Sequence, residues 1–179
     1  SSDRGEYLND VPEFFEPFNI EMKNYDIYEI NIDGSGMKRL TDTEFIERTP
    51  IYSPDGTHIS FTSDRSGVNN IYLKNLENGE EWPITNVVTG AFQPSWGGNA
   101  SRLAFASFYY AGYDIYLMKN PLDIKPGEVV VKETEFVKSL REEQQDEDLF
   151  ADSVDGIGDV AIDDETKKYR NFIFDEAFA

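Results

Sequence analysis

The chain has 179 residues, with 35 Asp and Glu against 16 Lys and Arg, and a formal net charge of −19. That balance argues against a nucleic-acid partner, since neutralising a phosphate backbone takes clustered Lys and Arg. The absence of cysteine excludes disulfides and thiolate metal sites, and no apolar run approaches the ~20 residues of a membrane-spanning helix.

Ser1-Ser2-Asp3-Arg4-Gly5 carries the same letters as Ser63-Asp64-Arg65, which close an alternating run beginning at His58. The opening residues therefore read as the end of a strand whose first half is missing. Residues 6–25 follow as a hairpin insertion rich in Phe and Glu, with Phe14, Phe15 and Phe18 around Pro12 and Pro17. Residues 26–41 then supply two more strands. Residues 49–86 read as four strands: 49–52, 58–63, 71–75 and 82–85. The first turn is Ser53-Pro54-Asp55-Gly56, in which Pro fixes φ and Asp and Gly accept turn conformations. The last turn contains Asn78-Gly79, a strong hairpin signal. Residues 91–132 read as a second set, at 91–96, 102–107, 115–118 and 128–132. Glu133 to Glu165 carries thirteen acids against Lys138 and Arg141, a bias typical of a solvated connector. Within it, residues 133–144 place Phe136, Val137 and Leu140 on one helical face.

These sets are copies of one another. Asp26-Ile27-Tyr28, Asn70-Ile71-Tyr72 and Asp114-Ile115-Tyr116 lie 44 residues apart, and the same offset maps Phe61 onto Phe105 and Pro50 onto Pro94. A period of about 40–45 residues with four short strands is the signature of a propeller blade. The expected fold is all-β: a partial β-propeller of half a blade plus two complete four-stranded blades over residues 1–132, and an acidic, partly helical extension over 133–179. Ile59, Phe61, Leu73, Leu103, Phe105 and Leu117 form the expected core. Asp26, Asn70 and Asp114 recur at one place and are expected to close turns. Asp64 is expected to accept backbone N–H bonds in its own turn, and Arg65 to bridge to the next blade.

Chemistry is sparse. The one histidine, His58, lies on a strand in a slot expected to face solvent, and no G-x-S-x-G elbow exists. Gly156-Ile157-Gly158-Asp159-Val160-Ala161 fits the dinucleotide fingerprint in letters, but lacks the strand before it and the helix after it. The same region fails as an EF-hand in both registers. No catalytic residue, cofactor or metal site is expected.

The stretch Thr49 to Glu80, with its Ser-Pro-Asp-Gly turn, Phe-Thr-Ser-Asp-Arg strand end and following Ile-Tyr strand, resembles the WD-like propeller repeat of TolB-type periplasmic proteins. Gly90 to Asp123 is similar to the last blades of envelope proteins in which such a propeller precedes an outer-membrane-type β-barrel. The resemblance covers residues 1–5 and 26–132. It implies a non-enzymatic scaffold in the bacterial envelope, periplasmic or outer-membrane-associated, with protein partners. The candidate interaction residues are Phe14, Phe15 and Phe18 on the insertion, and Tyr109 and Tyr110 on a loop. Two other readings stay open: a gating propeller of a serine-peptidase-type enzyme whose catalytic domain lies elsewhere, and a glycan-binding propeller using Tyr109, Tyr110 and Tyr113.

Overall fold

The structure, a computed structural model, describes residues 1–2, 25–139 and 141. The candidate residues Phe14, Phe15 and Phe18 lie outside the described residues, as does most of the acidic extension. The chain divides into two compact units, Ser1–Lys138 and Ser139–Ala179, and every described strand belongs to the first.

Three antiparallel sheets succeed one another along the chain. The first pairs β1 (Tyr28–Glu29) with β2 (Lys38–Arg39). Ser2 exchanges both backbone bonds with Asp26 at 2.8 Å, and this is the pairing that Ser63 makes with Asn70. The opening Ser-Ser thus takes the place of a second strand's end, as the repeat predicts. The second sheet has the order β3 (Glu47–Tyr52), β4 (His58–Ser63), β5 (Asn70–Asn75) and β6 (Glu81–Pro83). The third holds β7 (Ala91–Trp96), β8 (Arg102–Tyr109) and β9 (Gly112–Lys119).

The inner strand of each larger sheet carries the same defect. Register shifts between Arg48 and Ile51 in β3, and between Phe92 and Ser95 in β7. A proline has no N–H for the ladder and is tolerated in a sheet at edge strands and at such bulges. Pro50 and Pro94 occupy them, preceded by Thr49 and Gln93, both at a left-handed φ of 52°. At the β3–β4 turn, the Asp55 carboxylate accepts the Ser53 hydroxyl at 2.6 Å and the Thr57 N–H at 3.1 Å, while Gly56 supplies a φ of 72°.

Alternation along β4 and β5 separates two apolar faces. Ile59, Phe61 and Tyr72 form one core with Ile27 and Leu40 of the first sheet. Ile71, Leu73, Trp82 and Ile84 form the other with Ala91, Leu103 and Phe105 of the third. Each blade therefore covers one face of the next, and the Trp96 indole N–H donates across that interface to Ser60 Oγ at 2.8 Å.

The second blade departs from expectation. Residues 128–132 form no strand, and the third sheet ends at β9. The positions 44 residues after Glu81, Trp82 and Pro83 are Lys125, Pro126 and Gly127, and Pro-Gly turns the chain where β6 would repeat. The chain instead folds back on the first complete blade. Ile124 O accepts the Trp82 indole N–H at 2.9 Å, Val130 O accepts the Asn86 amide at 3.1 Å, and Ser66 O accepts the Thr134 N–H at 2.9 Å. Leu117, expected in the core, is 55% exposed, because it faces the side of β9 that no blade covers among the described residues. The helix begins at 135 rather than 133; its Phe136 is exposed, whereas Val137 lies over Gly67.

Candidate functional site

The most elaborate side-chain cluster is charged, and it is built around Arg65. Glu47, fully buried on the inner strand, accepts from the Arg65 guanidinium and from Thr43 Oγ1 at 3.2 Å. Arg65 also reaches Glu81 Oε2 at 3.0 Å on the outer strand, and Lys74 Nζ holds the other Glu81 oxygen at 2.8 Å. Between these ends the guanidinium lies 4.3 Å over the Tyr72 ring and 5.8 Å from that of Phe61. One arginine thus spans the blade from first strand to last. The expected bridge from Arg65 to a neighbouring blade is not made; both of its acidic partners belong to its own. Asp64 also differs from expectation: its Oδ1 accepts the N–H of Ile46, at 2.8 Å, from the approach to the inner strand. Burial raises the Glu47 carboxyl above its ordinary value, against the pull of Arg65, and its Oε2 has no partner among the described residues. No repeat signal marks Glu47 and Glu81 in the sequence, because the positions 44 residues on are Ala91 and Lys125.

The recurring Asp or Asn closes the blade, as expected, in two of its three places. Asn70 Oδ1 accepts the Thr85 hydroxyl at 3.0 Å and the Val87 N–H at 2.9 Å, and Thr85 Oγ1 accepts the Ile71 N–H at 2.8 Å. Asp26 does the same with Thr41 and the Thr43 N–H, and also pairs with Arg39. Asp114 is the third member and is exposed.

His58 is half-buried rather than solvent-facing, with its ring edge-on to Trp82 at 5.6 Å. Nε2 faces the Asn75 amide nitrogen at 3.4 Å, an obligate donor, so Nδ1 carries the proton and donates to Thr57 Oγ1 at 2.6 Å. Thr57 in turn donates to Asp55 at 2.9 Å. A catalytic triad needs the ring between acid and nucleophile; here the hydroxyl lies between acid and ring. Burial holds the His58 pKa below its ordinary 6.5, although Asp55 pulls it upward. The folded state therefore binds the proton less readily than the unfolded one. His58 contributes stability that is complete above 6.5 and falls as pH drops through that value. Urea unfolding across this window should show stability rising with pH in the wild type and a flatter profile in His58→Gln. Parallel profiles would refute the assignment.

The aromatic candidates gather at the β8–β9 hairpin. The six-residue corner Asp64–Asn69 of the first complete blade becomes Phe108-Tyr109-Tyr110-Ala111-Gly112-Tyr113 in the second, and there the strands run on, pairing as far as Tyr109 and Gly112. Tyr109 is 55% exposed and Tyr110 86% exposed, with rings edge to face at 4.7 Å. Tyr110 holds a left-handed φ of 48°, a costly conformation for a bulky residue. Tyr113 packs edge to face against Phe92 at 6.1 Å and Phe108 at 5.5 Å. Tyr113 and Phe108 share the face of Ile115 and Leu117 of β9, both also exposed, whereas Tyr109, opposite Gly112, takes the other face. Among the described residues no group of acids and histidine could hold a metal ion, and no helix is long and apolar enough to cross a membrane.

Comparison with known proteins bears on the whole arrangement. The chain is 33% identical over 96 residues to a Protein TolB homolog of Chlorobaculum tepidum, covering 54% of this chain and 22% of that protein. It is 47% identical over 47 residues to the Tol-Pal system protein TolB of Bordetella pertussis, covering 26% of this chain and 11% of that one. It thus spans less than a quarter of either. The crystal structure of TolB from Acinetobacter baumannii superposes with a TM-score of 0.51 at 23% identity, covering 54% of this chain and 24% of that one, a likeness in fold. The family described as TolB beta propeller domain matches residues 19–119. With more than half of its length in that match, and with its sheets stacked face to face as propeller blades, the chain belongs to the TolB β-propeller family.

Proposed function

We propose that this chain is part of a non-enzymatic propeller that docks other proteins in the bacterial envelope, using the aromatic end of the β8–β9 hairpin. The observation that carries the reading is the exposed pair Tyr109 and Tyr110 on a rigid two-strand support. Tyrosines offer large contact area at low entropic cost, and exposed apolar patches mark interaction surfaces. A solvent-facing tyrosine held at a left-handed φ does nothing for the blade's own packing, which favours a role outside it. The name Tol-Pal system protein, carried by the Bordetella relative, supports an envelope location, periplasmic or outer-membrane-associated. A photo-crosslinking amino acid at position 110 in the native host should trap a defined envelope protein, whereas the same group at Ile32, which is more exposed still, should not. Identical patterns from both sites would sink the proposal.

A further inference from the structure

After β9 the chain makes a short helical turn at Pro121–Asp123 and then crosses the first complete blade as a strap. Leu122 and Ile124 pack against the core that holds Trp82, Ile84 and Leu103, and Ile124 O accepts the Trp82 indole N–H. Further on, Val130 O accepts the Asn86 amide, and the Thr134 N–H donates to Ser66 O. This far end is seated tightly: a methyl group on Gly67 would lie 2.1 Å from Thr134 Oγ1 and 2.9 Å from a Val137 methyl. The near end rests on Trp82, and the same indole meets the ring of His58, the one histidine in the chain, edge-on at 5.6 Å.

His58 is placed so that a second proton on its ring is costly. The neutral ring donates from Nδ1 to Thr57 and presents Nε2 to the Asn75 amide nitrogen. A proton on Nε2 would set two donors against each other. Asn75 cannot turn its oxygen to the ring without loss, because that oxygen accepts the N–H groups of Glu77, at 2.8 Å, and Asn78, at 3.2 Å. The charged groups acting on the ring are Asp55, from the β3–β4 turn, and Lys125, which directly follows the Ile124 anchor. Asp55 favours the imidazolium, whereas burial and Lys125 oppose it. From β5 and β6 the ring meets Asn75 and Trp82, neither of which titrates.

We propose that His58 is a proton-operated latch for the strap: protonation of its ring drives Ile124 and Lys125 off Trp82, and residues 124–130 lift while β9 and Thr134 tether the two ends. With the strap lifted, the ring meets water and returns toward its ordinary 6.5; with the strap down, it binds the proton less readily. The closed form is therefore fully favoured above 6.5 and loses ground as pH falls below that value. The open form presents Trp82, which is 6% exposed when the strap is down. This inference concerns regulation of the first complete blade, and it does not depend on the docking role of Tyr109 and Tyr110.

The test is hydrogen exchange of amide and indole N–H groups, followed by NMR on the full chain at about pH 7.5 and about pH 5, with rates corrected for intrinsic exchange. Protection of the Trp82 indole is expected to fall about tenfold at the lower pH, the factor that one pKa unit between the two forms supplies. The Ile84 N–H, bonded to Ile71 O inside the blade, should keep its protection, and it reports in every variant that the fold is intact. His58→Gln leaves every other titrating group in place and should abolish the fall. Lys125→Glu should hold the strap down at the lower pH, because a carboxylate attracts the imidazolium. The proposal is overturned if protection of the indole is the same at both pH values, or falls only together with that of Ile84. It is equally overturned if the fall persists undiminished in His58→Gln or in Lys125→Glu.

Discussion

Replacing Arg65 by Met is expected to lower the stability of the described unit by about 3–5 kcal/mol in urea unfolding, the cost of stranding a buried charge. Glu47 is fully buried, and apart from Arg65 the described partners of its oxygens are threonine hydroxyls. Without the guanidinium the carboxylate must either remain charged in a low-dielectric site or take up a proton. Arg65→Lys should fall between, because an ammonium can donate to Glu47 and Glu81 but cannot lie flat over Tyr72 as the guanidinium does. Combining Arg65→Met with Glu47→Gln should restore part of the loss, since no orphaned charge then remains. A single-mutant cost below about 1 kcal/mol, or strictly additive costs in the double mutant, would show that the cluster is incidental.

The second large effect separates two leucines of the same blade. Leu103→Ala should cost about 2–5 kcal/mol, as expected for a truncation that leaves a cavity in a packed core. Leu103 is fully buried where the third sheet meets Leu73 and Trp82. Leu117→Ala should change stability by no more than about 0.5 kcal/mol, the usual range for surface positions. Leu117 is half exposed on the opposite face, across from Ala104. Sequence alone ranks these two equally; the structure predicts a several-fold difference. Equal costs would mean that the outer face is already covered in solution.

How the fold can be read in advance, and where reading fails, depends on what repetition encodes. The 44-residue offset places β3 to β9, since each strand has a counterpart carrying the same alternation. It also leads to two errors. A fourth strand is expected after β9 because the preceding blade has one, yet Lys125-Pro126-Gly127 replaces its centre with a turn. Repetition puts Leu117 in the core because Leu73 is there, but burial of Leu73 depends on a neighbour that Leu117 lacks. The Arg65 partners are illegible for the converse reason: they belong to one blade only, and nothing local to Glu47 or Glu81 announces a contact made across four strands. Tyr109 and Tyr110 stand out by composition, but their exposure depends on β8 and β9 running two residues further than β4 and β5, which only the pairing reveals.

The hydrogen bond from Trp96 to Ser60 has a bearing on solubility. Units that offer one surface and accept on another can, in principle, add head to tail without limit, and open chains of that sort grow into fibres. The position 44 residues after Ser60 is Ala104, whose methyl offers no acceptor. Were a copy of the third blade to follow itself in the stack, its indole N–H would face Ala104 and be buried without a partner, at a cost of about 1–3 kcal/mol. Losing one hydroxyl thus makes the order of the units chemically distinguishable.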